Sequence, residues 1–435
     1  MPRGSGTGGP GARGSGTGGP GTSGSGTSGP GAEGVVPFRQ FLLKVHSRCN
    51  LDCDYCYVYH SPDQSWRRKP RSMAPATVGR VAGRIAEHAR THGLPDVRII
   101  LHGGEPLLLG PRRLDDLLGA LTERLAPVVP PRFSVQTNGV LLDEELLDVL
   151  RRRSVRVSVS LDGSRRAHDR HRRSADGRGS HDRVTRGLRL LNSPSHKDLF
   201  AGLLCTVDLA NDPLETYEAL LSAAPPRLDL LLPHGTWETP PPGLAHRTVP
   251  PAAPPGPAAT GAGGTPYADW LCRVFDRWFD APVRETGIRL FEELMSGILG
   301  GTVRSESVGL APVDLVVIET DGTIEQSDSL KTSYPGAPET GMDVLRHSFD
   351  EALRLPEFRA RQSGSAALSD TCGRCRLAEL CGGGLYAHRF DARNRFANPS
   401  VYCHDLAALI AHIRSRIEQA LDAGPAGPAT VPPGP

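Results

Sequence analysis

Between residues 41 and 233 short apolar, β-branched runs alternate with longer stretches whose apolar positions recur at helical spacing. The strand-like runs are FLLKVH (41–46), VRIILH (97–102), FSVQT (133–137), VRVSVSL (155–161), FAGLLCTV (200–207) and LDLLLP (228–233). Helical patterns fill the gaps. In TVGRVAGRIAEHARTHG (77–93), Val78, Val81, Ile85 and Ala89 share one face and Gly93 is a stop signal. Six strand-then-helix units predict an α/β fold whose parallel sheet curls into a full or partial barrel. A second block opens with YADWLCRVFDRWF (267–279). Its Tyr267, Trp270, Phe275, Trp278 and Phe279 fall at helical spacing and read as core, with a peptide groove as the alternative. LVVIETDGTIEQSD (315–328) predicts a hairpin turned at Asp321-Gly322.

Low-complexity segments divide this pattern. Residues 1–34 repeat a Gly/Ser/Pro decapeptide, so 1–36 is expected to be a disordered tail. The expected divisions after it are a 37–237 core, a Pro/Ala/Gly-rich linker at 238–266, a C-terminal domain at 267–422 and a tail at 423–435. The 435 residues carry a net charge of only +2, with arginines scattered rather than grouped, which argues against nucleic acid as a partner. No long apolar run or secretion signal is present, so the expectation is a cytoplasmic protein with no membrane partner. Of nine cysteines, Cys205 and Cys272 lie in apolar surroundings and read as buried hydrophobes. The others cluster at short spacings, the mark of metal or redox chemistry in a cytosolic chain.

Every polar cluster of the first block falls just after a strand, where the active face of a β/α barrel lies. After the first strand Cys49, Cys53 and Cys56 form C-x3-C-x2-C; HGGEP (102–106), QTNG (136–139) and SLDG (160–163) follow the next three. Three thiolates leave one iron of a 4Fe-4S cubane open to a non-protein ligand. Zinc is the alternative, with His46 or His60 completing the site.

With Tyr55 before its last cysteine, this motif resembles that of the radical S-adenosylmethionine (SAM) enzymes. The resemblance implies a partial (β/α)6 barrel over about 37–237, a 4Fe-4S cluster held by the three cysteines and SAM, and reductive cleavage to a 5′-deoxyadenosyl radical that takes hydrogen from substrate. It assigns Gly103, Gly104 and Glu105 to the SAM methionyl amine, suiting a carboxylate that faces an ammonium group. Ser160 and Arg172 match contacts to the SAM ribose and carboxylate, and Asn138 and Asp162 are further pocket residues. Ser164 stands where a proline is usual. The rest of the run RRAHDRHRR (165–173) reads as a solvated helix face before it reads as a site for an acidic leader peptide.

In the second block Cys372, Cys375, Cys381 and Cys403 form C-x2-C-x5-C-x21-C. On the residues alone, structural zinc and a 4Fe-4S cluster are comparable occupants. The spacing resembles the second auxiliary cluster of SPASM domains, which implies an auxiliary 4Fe-4S cluster on four cysteines. The ligands of the first auxiliary cluster in such domains are missing together: Leu385 stands at one position, and Gln326 and Ser327 occupy the hairpin region where others are expected. His388, His404 and Asp391 are candidates for hydrogen bonds to cluster sulfur. Segments such as GSHDRV and NPSVYCHDL are similar to FxsB-like maturases of ribosomal peptides ending in Phe-x-Ser-x-x. That similarity implies a ribosomally synthesised precursor peptide as partner, an electron donor such as flavodoxin or ferredoxin, and an aromatic-carbon to β-carbon cross-link. The alternatives are a sulfatase-type maturase that oxidises Ser or Cys, and a non-catalytic metal-bearing protein that binds a peptide.

Overall fold

The computed structural model describes residues 35–248 and 264–423. The repeating pattern of the first block becomes six parallel strands: β1 (Gln40–His46), β2 (Val97–Gly103), β3 (Pro131–Thr137), β4 (Arg156–Ser160), β5 (Phe200–Thr206) and β6 (Arg227–Leu231). Each pairs with the next in chain order. The intervening helices are α1 (Pro75–His92), α2 (Pro111–Leu125), α3 (Glu144–Arg152), α4 (Arg165–His171), α5 (His181–Leu191) and α6 (Pro213–Leu221). Local chemistry sets their ends. Helix α1 starts with proline at its first position and stops at Gly93, whose φ of 57° is left-handed. Asp143 caps α3 by accepting from Leu146 N, with Glu144 and Glu145 in the first turn and Arg151 and Arg152 in the last, as the helix dipole favours.

The sheet does not end at six strands. Short β7 (Gly287–Ile288) pairs in parallel with β6, and β8 (Leu315–Ile318) pairs in parallel with the other side of β1. The hairpin expected at 315–328 is β8 with β9 (Thr323–Glu325), turned through Gly322, and β10 (Glu339–Asp343) adds antiparallel to β9. One ten-stranded sheet results, in the order β10-β9-β8-β1-β2-β3-β4-β5-β6-β7. The first block supplies its parallel centre and the second supplies both edges.

Helix α7 (Pro266–Phe279) packs against α6 and the C-terminal helix Cys403–Asp422, and α8 (Arg289–Ile298) packs on β6. Tyr267, Trp270, Phe275 and Trp278 are at most 5% exposed, so the aromatic run is core. One hydrophobic cluster extends from Phe38 to Ile417 through both blocks. Residues 238–248 pack rather than float: Leu244 is fully buried, Glu238 Oε1 accepts from Ala392 N, and Arg247 pairs with Asp405 at 2.6 Å. Residues 1–34 of the expected tail at 1–36, residues 424–435 of that at 423–435, and the linker residues 249–263 lie outside the described residues. Among the described residues no helix is long and apolar enough to cross a membrane.

Candidate active site

Because β1 to β4 run parallel in adjacent register, the segments leaving their C-terminal ends meet at one edge. The cysteine loop leaves β1 and is tied down by Asp52 N donating to Arg173 O at 2.7 Å. The end of β2 runs directly beneath it, with Gly104 N donating to His46 O and Glu105 N to Arg48 O. This approach requires the two glycines. A Cβ on Gly103, at φ 153°, would sit 2.1 Å from His46 O, and one on Gly104 would sit 1.9 Å from Tyr59 Oη.

Glu105 is 1% exposed. Its Oε1 accepts from Thr137 Oγ1 (2.7 Å) and Leu107 N (3.0 Å), and its Oε2 from Asn138 N (2.8 Å). The carboxylate thus clamps the end of β2 to the end of β3, while burial raises its pKa to about 7. Asn138 passes the connection on: its Nδ2 donates to Asn50 Oδ1 at 2.7 Å and approaches Cys49 Sγ at 3.6 Å.

Asp162 is the hub on the other side. Tyr55 Oη donates to its Oδ2, Arg172 Nε donates to the same oxygen at 2.8 Å, and Thr206 N at the end of β5 donates to Oδ1 at 3.1 Å. Burial opposes its charge, but Arg172, His168 and the bonds from Tyr55 and Thr206 N together hold it below the usual carboxylate range. The Arg172 guanidinium also lies over the Tyr55 ring, 5.4 Å from its centre. The structure therefore joins Tyr55, Asp162 and Arg172 into one unit bracing the cysteine loop. Ser160 stands apart from it, accepting from Gln136 Nε2 at 3.0 Å.

Burial pushes the Cys49 and Cys53 thiols up to about 12 and raises Cys56 as well. A thiolate here needs positive charge beside it, which the irons of a cluster supply. In the second block Cys372, Cys375, Cys381 and Cys403 line one pocket with Leu377 and Pro399. Burial raises Cys381 to about 11 and Cys403 further. Mononuclear zinc with bonds of ~2.3 Å needs sulfurs ~3.8 Å apart. Among the described residues, no three ligand atoms within 4.8 Å of one another include a cysteine, so neither set is drawn together as tightly as a single zinc ion needs. His60 instead pairs with Asp52 at 2.9 Å, and His46 Nδ1 lies 3.0 Å from Arg48 O.

Beside the cysteine loop opens a cleft walled by β1, β6, α8 and the C-terminal block. Tyr57, one residue after Cys56, lines it together with His234, His388, Asp328, Ser327 and Leu385. Tyr57 and His234 stack edge to face at 4.6 Å, and His234 Nδ1 lies 3.4 Å from His388 Nε2. Burial lowers His234 to about 4 and His388 further, so both are neutral at pH 7. His388 is therefore a cleft residue, while His404 and Asp391 have no bond to the cysteines.

Lys44, 2% exposed in the middle of β1, pairs with Asp328. Burial opposes the charge on Asp328, and Lys44 and Lys331 overcome it. Sequence reasoning missed this pair. Its one signal was a lysine inside an otherwise apolar strand. Lys331, fully buried, contacts Asp63, Glu319 and Glu325 at 3.3–3.4 Å, so buried charge occupies the hairpin region where the SPASM resemblance places auxiliary-cluster cysteines.

Residues 43–203 match the model of the radical SAM superfamily. The cysteine-type anaerobic sulfatase-maturating enzyme of Clostridium novyi is 24% identical over 391 residues, covering 82% of this chain and 90% of that one. The serine-type enzyme of Klebsiella aerogenes is 32% identical over 158 residues, covering 36% of this chain and 37% of that protein. The structure of native anSMEcpe with bound AdoMet and Cp18Cys peptide superposes with a TM-score of 0.70 at 19% identity, covering 88% of this chain and 99% of that one. Streptococcus suis SuiB bound to its precursor peptide SuiA superposes at 0.54, with 13% identity over 85% of this chain and 76% of that one. The fold is that of the radical SAM partial barrel with a C-terminal region.

Proposed function

We infer that this chain, a radical SAM enzyme, oxidises a side chain of a peptide held in the cleft beside the Cys49–Cys53–Cys56 loop. The observation that carries this reading is Tyr57, which follows a cysteine of the loop and lines the cleft wall, so both share one short segment. When bound, the cluster and SAM supply a 5′-deoxyadenosyl radical that takes a hydrogen atom from substrate. Gly103, Gly104 and Glu105, on the segment that runs beneath the cysteine loop, would hold SAM, and Asn138 directs its amide N–H at Cys49. Ser160 and Arg172 would supply further contacts to SAM, and Asp162 would act mainly through Tyr55 and Arg172. Asp328, held ionised by Lys44 on the cleft wall, can accept the proton released as the substrate is oxidised. The four-cysteine pocket would hold an auxiliary 4Fe-4S cluster that exchanges electrons with a donor of flavodoxin or ferredoxin type.

Two products fit. Sulfatase-type oxidation of Ser or Cys has the support of relatives aligned over most of the chain. A cross-link in a Phe-x-Ser peptide is favoured by one specific observation: Leu385 and Ser327 stand on the cleft wall in place of cysteines. Anaerobic reconstitution with SAM, reductant and peptides of each type separates them. A new carbonyl that reacts with hydrazine marks maturation, whereas loss of two hydrogens with no carbonyl marks the cross-link. If no 5′-deoxyadenosine forms with any peptide while both cysteine sets are loaded, the reading falls.

A further inference from the structure

A smaller pocket adjoins the cleft and shares Ser305 and Glu306 with it. Arg361 and Arg389 line it together with Tyr386, their guanidinium carbons 6.0 and 5.5 Å from the ring centre. The Arg361 side chain is 1% exposed. Its Nη2 pairs with Glu306, but its Nε and Nη1 are buried without a hydrogen-bond partner. Arg389, 8% exposed, bonds only to the carbonyls of Gly382 and Gly384. Those carbonyls are presented by successive left-handed glycines, and a Cβ on Gly382 would lie 1.7 Å from Gly309 O, so the wall is closely built.

Two guanidiniums in the lining thus face one carboxylate, and buried donors without partners are costly. The natural remedy is a second anion inside the pocket. The occupant must be small, anionic and reachable from the cleft. On a peptide, the groups that meet these conditions are an Asp or Glu side chain and the C-terminal carboxylate.

We propose that the Arg361–Tyr386–Arg389 pocket is a carboxylate subsite of the cleft that anchors a carboxylate of the substrate peptide. The subsite rests on the pocket's own geometry; its occupant rests on the peptide-modifying reading above.

The test uses cluster-reconstituted protein in two arms. In the first, acetate is titrated against chloride at constant ionic strength while the unfolding temperature is followed. A saturable rise is expected, weakened about tenfold or more in Arg361→Gln and tightened in Glu306→Gln, which removes the competing carboxylate. Opposite signs cannot arise from general damage to the fold. No saturable rise, or the same response in all three proteins, overturns the subsite.

In the second arm, one peptide is compared with its fully carboxyl-amidated form. The free acid should bind about 10- to 100-fold tighter, and the gap should close in Arg361→Gln. Equal binding of the two forms to the unmodified protein overturns the assignment of the occupant. If neither form binds, the peptide reading fails and the acetate arm alone decides the subsite.

Discussion

The two cysteine sites are held by different physics. The three-cysteine loop is braced by side-chain charge: Asp162 joins Tyr55, Arg172 and the end of β5, and Glu105 with Asn138 joins the ends of β2 and β3 to Cys49. The four-cysteine site is braced by local contacts to its own turns: Ser369 Oγ caps Cys372 N, Cys375 Sγ accepts from Leu377 N at 3.4 Å, and Arg389 bonds to the carbonyls of the left-handed Gly382 and Gly384 just after Cys381. A site built to leave a ligand position open lacks a fourth thiolate to close it, so its surroundings must fix the loop. A site closed by four thiolates is itself a cross-link and needs only a chain that turns correctly.

Removing ligands sharpens this contrast most. Replacing Cys49, Cys53 and Cys56 with alanine should abolish 5′-deoxyadenosine formation and remove about four irons per chain. Replacing the four C-terminal cysteines should remove about four irons yet leave SAM cleavage measurable. Equal loss of cleavage in both proteins would erase the distinction between an open and a closed site.

Bracing comes next. Asp162→Asn leaves Arg172 buried without its carboxylate and is expected to cost about 3–5 kcal/mol in denaturant unfolding of the apoprotein. Ser369→Ala, which removes a cap at the other site, should cost only about 1 kcal/mol. Similar losses would mean that the two sites are braced alike.

The narrowest effect, confined to acid pH, is on the cleft wall. Burial, with Lys44 beside His102, holds His102 at about 4, and burial does the same to His234, against an ordinary 6.5. The fold favours their neutral forms, so their stabilisation is whole above about pH 6.5 and is lost as pH falls toward 4. Unfolding followed from pH 7 to 4 should show a decline that His234→Gln reduces by on the order of 2 kcal/mol. An unchanged slope in that variant would place the acid sensitivity elsewhere.

Much of the architecture was legible in the residues. The six strand runs fall within two residues of β1 to β6, because short β-branched and apolar runs, several with buried positions at every second residue, carry the strand signal locally. The polar clusters after them do converge, because parallel pairing in chain order leaves no other arrangement. What the residues concealed was partner choice. Arg172 reads as a ligand for an external carboxylate, yet its Nε is taken by Asp162, ten residues earlier. Lys44 reads as an anomaly in β1 until β8 places the hairpin, and with it Asp328, against that strand.

By itself the sequence determined what depends on short spacing: the strand and helix periods, the glycines beneath the cysteine loop, and two thiol sets with ligand spacing three hundred residues apart. These follow from local geometry, in which a few residues settle the outcome. Only the tertiary structure decided that the second block completes both edges of the sheet, that Tyr57, His234 and His388 share one cleft, and that Arg361 keeps two buried donors without partners. Those outcomes depend on which distant groups are buried together, and the energy of a buried charge is set by neighbours that chain distance does not specify.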